Sequence, residues 1–129
     1  MDFMNRMGII HRDLKPENIL LNSKTSWVYD VLIADFGFAI REDSKEVAEN
    51  IICGTPGYIA PEILSGSGHY SKKSDVFSLG SILYNILSLK NLFPGANHRD
   101  VLVKNKDCNL SHIDQYLLLN SPLVRNLVA

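Results

Sequence analysis

The stretch HRDLKPEN at residues 11–18 places a carboxylate (Asp13), a primary amine (Lys15) and a chelating amide (Asn18) within a few positions of one another. Taken singly, these are a turn residue, a solvated side chain and a cap. Further along, Asp35 follows the apolar run VLIA at 31–34 and precedes Phe36 and Gly37, adding a second carboxylate where glycine lets a ligand approach the backbone closely. Asn18 and Asp35 together supply hard oxygen ligands. Magnesium takes one or two such protein oxygens and completes its shell with phosphate oxygens, and Lys15 adds a positive charge for the phosphate. The set suits phosphoryl transfer.

Phe3, Met4 and Met7 stand at helical spacing before Gly8, which predicts the last two turns of a helix whose beginning is missing. ILL at 19–21 and VLIA at 31–34 flank the polar NSKTS and predict two short strands, both largely buried. The charged run at 41–50 and GTPGYIAPE at 54–62, with its two Gly and two Pro, predict one long surface segment of functional character. Ser74 and Asp75 are candidate caps for a helix over 74–89 whose apolar residues cover nearly the whole circumference, as in a central buried helix. FPG at 93–95 turns the chain into a shorter helix near 97–105, and another helix is expected from Ser121 and Pro122. No internal repeat, low-complexity tract or linker divides the 129 residues.

The composition is that of an ordinary globular domain, 46% hydrophobic and 21% charged. Thirteen Lys and Arg against fourteen Asp and Glu leave a formal charge of -1, which gives no reason to expect nucleic acid or an acidic membrane as a partner. Cys53 and Cys108 form no CxxC pair, arguing against a zinc framework or a disulfide-rich secreted scaffold and for a reducing, cytoplasmic setting. His69, His98 and His112 lack metal-ligand spacing. The amino terminus has no signal-peptide pattern and no stretch could span a bilayer, so a soluble protein is expected; no segment marks an oligomeric state.

HRDLKPEN, DFG at 35–37 and GTPGYIAPE, in that order, resemble the catalytic loop, magnesium motif and activation segment of eukaryotic protein kinases, and the resemblance covers essentially all of the chain. It implies a mainly α structure with a short β-hairpin: the large, C-terminal lobe of the protein kinase fold, incomplete at both ends, with residues 1–129 forming a partial catalytic domain and 35–62 its activation segment. It also implies an ATP-dependent serine/threonine kinase that transfers the γ-phosphoryl group of ATP to a Ser or Thr hydroxyl of a protein substrate, with ATP and Mg2+ as cofactors. Lys15 with Thr55 resembles the serine/threonine branch, and CGTPGYIAPE the calcium/calmodulin-dependent kinases.

On that resemblance Asp13 orients the substrate hydroxyl and accepts its proton, and Lys15 steadies the transferred phosphoryl group. Asn18 and Asp35 hold magnesium, and Thr55 bonds near Asp13 and Lys15. Leu20 and Glu17 join the cofactor-facing set. Leu20 lies where the family places an apolar side chain beneath adenine, a plain core leucine being the alternative. Glu17 resembles the position that meets an arginine of a basic substrate, a solvated glutamate being its alternative. His11 and Phe36 match the packed column joining the two loops, with His11 as a packing residue. Asp75 resembles the buried acid that anchors the catalytic loop, and Phe77 replaces the usual tryptophan beside it. Arg12 is the loop arginine that grips an activation-segment phosphate in many kinases, yet Ile51 stands where the phosphorylated threonine is common. Activation without phosphorylation at Thr55 is therefore expected, with Ser44 the nearest upstream acceptor and Glu46 or Glu49 supplying standing charge to Arg12.

No segment resembles the glycine-rich phosphate loop, the strand lysine of VAIK or its glutamate partner, and the arginine that pairs with Glu62 has no counterpart, so a buried Glu62 is expected to be costly. The isolated chain is accordingly expected to be weakly active or inactive. The competing reading is a catalytically silent, kinase-like interaction module.

Overall fold

A computed structural model of the chain describes residues 1–25, 28–45 and 51–113. In chain order its elements are α1 (Asp2–Arg6), β1 (Ile9–Ile10), a 3-10 turn (Pro16–Asn18), β2 (Ile19–Thr25), β3 (Val28–Ile33), β4 (Ile40–Arg41), α2 (Pro61–Leu64), α3 (Lys72–Ser88) and α4 (His98–Asp107). Gly8, at φ +66, stops α1 as its position suggested and turns the chain into β1, which pairs antiparallel with β4. The helix expected from Ser121 lies outside the described residues. Among those described, no helix is long and apolar enough to cross a membrane.

β2 and β3 form the expected antiparallel hairpin, Ile19 opposite Ile33, Leu20 opposite Leu32 and Leu21 opposite Val31. Its burial differs from expectation: Leu20, Leu21, Val31 and Leu32 are 50%, 68%, 59% and 49% exposed. Apolar sequence alone does not bury a strand, and no described element packs extensively across this hairpin. Its register places Asn18 and Ala34 side by side at one end, the Ala34 N–H donating to the Asn18 carbonyl at 2.9 Å.

α3 begins earlier than Ser74 and is capped by Ser71, whose side chain accepts from the Lys73 N–H at 3.2 Å while Ser74 Oγ accepts from the Ser71 N–H at 3.2 Å. This reciprocal box satisfies two donors that the first helical turn would leave unpaired. Ser71→Ala should cost about 1 kcal/mol of stability, read as a lowered urea midpoint at unchanged m-value. The helix is not buried all round, because Val76, Leu83 and Ile86 remain 57%, 39% and 63% exposed and described segments pack on its other side only. That buried side carries Ser74, Asp75, Ser78 and Ser81 at helical spacing. Polar residues on an inward face need inward partners, and here the partners are loop backbones.

Among the described residues the core has two clusters: Ile10, Ile40, Ile59, Ala60, Ile63 and Tyr70, and Tyr84, Leu92 and Phe93. Phe77 packs against both, stacking on Phe93 with ring centroids 6.3 Å apart, so the aromatic that stands in for tryptophan still joins the core. Asn97 caps α4 by accepting from the Asp100 N–H at 3.0 Å, and the helix runs slightly beyond the expected 97–105.

Candidate active site

The 11–18 loop has little hydrogen-bonded secondary structure of its own, so its backbone donors must be met from outside. Asp75, fully buried in the first turn of α3, meets two of them: Oδ2 accepts from the His11 N–H at 2.8 Å and Oδ1 from the Arg12 N–H at 3.0 Å. Burial raises the Asp75 carboxyl above the ordinary carboxylate range, outweighing the two donors that pull it down. Arg12 sits at φ +68, a conformation costly for a non-glycine residue, and this anchor holds it there.

His11 is fully buried with both ring nitrogens engaged: Nδ1 accepts from the Asp13 N–H at 3.3 Å, and Nε2 lies 3.1 Å from the Ala34 carbonyl. That pairing fits a ring whose Nε2–H donates to the Ala34 carbonyl. Phe36 packs edge-on against it with centroids 4.9 Å apart. His11 is therefore packed between the two loops, the place expected of a packing residue.

The Asp13 backbone is pinned by that bond to His11 and by the Asn18 side-chain amide, which donates to the Asp13 carbonyl at 2.9 Å. Its carboxylate, only 5% exposed, is gripped at both oxygens: Thr55 Oγ1 donates to Oδ1 at 2.6 Å, and Lys15 Nζ pairs with Oδ2 at 3.1 Å. Lys15 Nζ also donates to Thr55 Oγ1 at 3.1 Å, closing a triangle of acid, amine and hydroxyl across 42 residues of chain. The structure thus brings Asp13, Lys15 and Thr55 together.

Asn18 is buried at the end of the 3-10 turn, and with its amide nitrogen committed to Asp13 its oxygen is the remaining donor to a ligand. Asp35 follows Ala34, the residue bonded to Asn18, so both lie at the same end of the hairpin. Asp35 is exposed at φ +60, its Oδ1 accepting from the Gly37 N–H at 3.2 Å. One amide oxygen and one carboxylate fit magnesium bound chiefly through phosphate and water. No group of three or more His, Cys, Asp or Glu suited to a metal occurs among the described residues, so no all-protein cage competes with this arrangement.

Tyr70 secures the far segment. Its hydroxyl donates to the Cys53 carbonyl at 2.6 Å and accepts from the Cys53 N–H at 3.0 Å, and burial raises its pKa strongly. The Arg12 guanidinium stacks over the Tyr70 ring at 5.2 Å and its Nε donates to the Phe38 carbonyl at 2.6 Å. Arg12 is thus engaged by uncharged partners; Glu46 and Glu49, expected beside it, lie outside the described residues. Next to Cys53, Gly54 has φ +106, and a Cβ there would stand 2.7 Å from the Arg12 carbonyl oxygen. Gly54→Ala should destabilise by at least about 2 kcal/mol in urea titrations, since both backbone conformation and space are wrong for a side chain.

Beside the triangle lies a cavity of about 250 Å³ walled by Glu17, Thr55, Tyr58, Phe93, His98 and Val101, among others. Burial, and secondly the Glu17 charge, raises the Tyr58 phenol. Glu17 is exposed, and half-exposed Leu20 is not a core leucine. Glu62, whose full burial without a partner would be costly, is only partly buried. Sequence reasoning missed Tyr70, Ser78, Ser81 and Asn105, which hold the 53–59 backbone. The only available signal was Asn105, a polar residue at helical spacing from Val101 and Leu102.

The protein kinase domain family matches residues 1–126. The chain is 37% identical over 128 residues, 99% of its length, to "Probable serine/threonine-protein kinase 2" of Plasmodium falciparum. It is 44% identical over 103 residues, 79% of its length, to Calcium-dependent protein kinase 4 of the same species. With Myosin light chain kinase A of Dictyostelium discoideum it shares 36% over 118 residues, 88% of its length. It spans 24%, 19% and 38% of the length of these relatives. On this match the chain belongs to the protein kinase domain family, and the kinases it resembles are of the serine/threonine type.

Proposed function

We propose that this chain carries the large-lobe half of the catalytic machinery of an ATP- and magnesium-dependent serine/threonine protein kinase. The observation that carries the reading is the closed triangle of Asp13, Lys15 and Thr55. A carboxylate held at backbone and at both oxygens is set to orient a serine or threonine hydroxyl and take its proton as the oxygen bonds to the terminal phosphorus of ATP and the bond to ADP breaks. Lys15, paired with Asp13 and with its side chain 24% exposed, offers its charge to the moving phosphoryl group. Asn18 and Asp35 would hold magnesium, which when bound neutralises phosphate charge. Leu20, on the open hairpin, would face the adenine, and Glu17 would draw a basic side chain of the substrate toward the cavity beside Tyr58.

The test joins the small lobe of Myosin light chain kinase A in front of this chain and follows transfer of labelled phosphate from Mg·ATP to an arginine-containing serine peptide. Transfer by the chimera, lost in its Asp13→Ala form, is expected; the 129-residue chain alone should give little. A folded chimera that binds ATP without transferring phosphate would instead favour the silent interaction module.

A further inference from the structure

Three consecutive residues of the substrate-side loop, Gly57, Tyr58 and Ile59, have four backbone groups held by side chains of two helices. Ser81 Oγ of α3 donates to the Gly57 carbonyl at 2.7 Å, and Ser78 Oγ of the same helix donates to the Tyr58 carbonyl at 2.7 Å. Asn105 of α4 spans the other side: its Oδ1 accepts from the Gly57 N–H at 2.9 Å and its Nδ2 donates to the Ile59 carbonyl at 2.7 Å. Asn105 is fully buried, so both bonds are shielded from water, and its two-headed amide fixes the peptides on either side of Tyr58. Gly57 has φ +94 and lies over Val101 of the same helix, 3.5 Å from the position a Cβ would take. The Tyr58 N–H in turn donates to the Thr55 carbonyl at 3.0 Å, so the held segment runs into the residue that touches Asp13 and Lys15.

We infer that Asn105 is a positioning residue for the protein substrate: through Gly57 and Ile59 it sets the wall formed by Thr55, Gly57 and Tyr58, and so the shape of the cavity that takes the substrate side chain. The inference rests on the reading above that this cavity faces the peptide. A hydrophobic residue at this inward place in α4 would pack equally well but would leave the Gly57 N–H and the Ile59 carbonyl buried without partners. The loop would then relax toward solvent, and the cavity would lose its fixed wall.

The experiment titrates a fluorescein-labelled, arginine-containing serine peptide with the 129-residue chain in the absence of nucleotide, so that no phosphoryl transfer is needed. Asn105→Leu removes both bonds at similar volume, and Asn105→Asp keeps an acceptor for Gly57 while losing the donor to Ile59. Peptide affinity should fall about tenfold or more in the leucine variant and by an intermediate factor in the aspartate variant. Amide exchange should quicken at Gly57 and Tyr58 and stay unchanged at Ile82 in α3. Peptide binding lost in the variants while the completed chimera transfers no phosphate would keep this inference and remove the kinase reading. Unchanged affinity despite faster loop exchange, no peptide binding by the parent chain, or unfolding of both variants would each overturn it.

Discussion

Asp13→Asn is expected to lower phosphoryl transfer by about 100- to 10,000-fold in the small-lobe chimera, with little change in KM for peptide or ATP. The amide keeps the volume of the carboxylate and can still accept from Thr55 Oγ1, now 2.6 Å away. It cannot take a proton from the substrate hydroxyl, and it no longer pairs with Lys15. The loss therefore falls on the transition state, and kcat carries it. Thermal unfolding run in parallel separates this from a folding defect. Retention of activity within about threefold of the parent would remove Asp13 from the chemistry, since an acid–base group contributes far more than that.

Asp75→Ala should destabilise the chain by about 3–5 kcal/mol, because each of the His11 and Arg12 N–H groups loses a charge-assisted bond worth about 1.5–3 kcal/mol and has no other acceptor among the described residues. For a domain of this size that is a fall in melting temperature of roughly 10–20 °C. Asp75→Asn, which keeps one acceptor, should cost less. The acid also carries a signature in pH. Its folded-state pKa lies above the ordinary value, so the folded chain holds the proton to higher pH than the unfolded chain does. Stability then declines as pH rises through that interval and recovers on acidification. Urea midpoints across the interval should show that decline in the parent chain and lose it in Asp75→Asn; an identical slope in both would assign the effect elsewhere.

The parts of the site that were legible in the sequence are those whose residue types are set by chemistry. Asp13, Lys15 and Asn18 sit close together in the chain because a short loop presents them, and the second carboxylate, Asp35, follows a strand and precedes a glycine. The hairpin could be read from two apolar runs around a polar turn, and α3 from its length. The missed features depend on distant partners. Ser78 and Ser81 look like neutral helix residues until their hydroxyls meet the carbonyls of Tyr58 and Gly57. Ser74 fits a cap on paper, and the capping box places Ser71 at the boundary and Ser74 inside it. Exposure was misread for Leu21 and Val31 because a hydrophobic run reports the tendency to be covered and says nothing of what covers it.

The bond from Asp75 to the His11 N–H closes a separation of 64 residues. During synthesis the 11–18 loop leaves the ribosome well before its anchor, by roughly 3–13 s at about 5–20 residues per second. Through that interval Arg12 has nothing to hold its left-handed backbone, and the exposed runs of the hairpin are available to chaperones or to aggregation. Ordering of the loop becomes a late, non-local event in folding, whose rate tracks the docking of α3 more than any preference of HRDLKPEN itself.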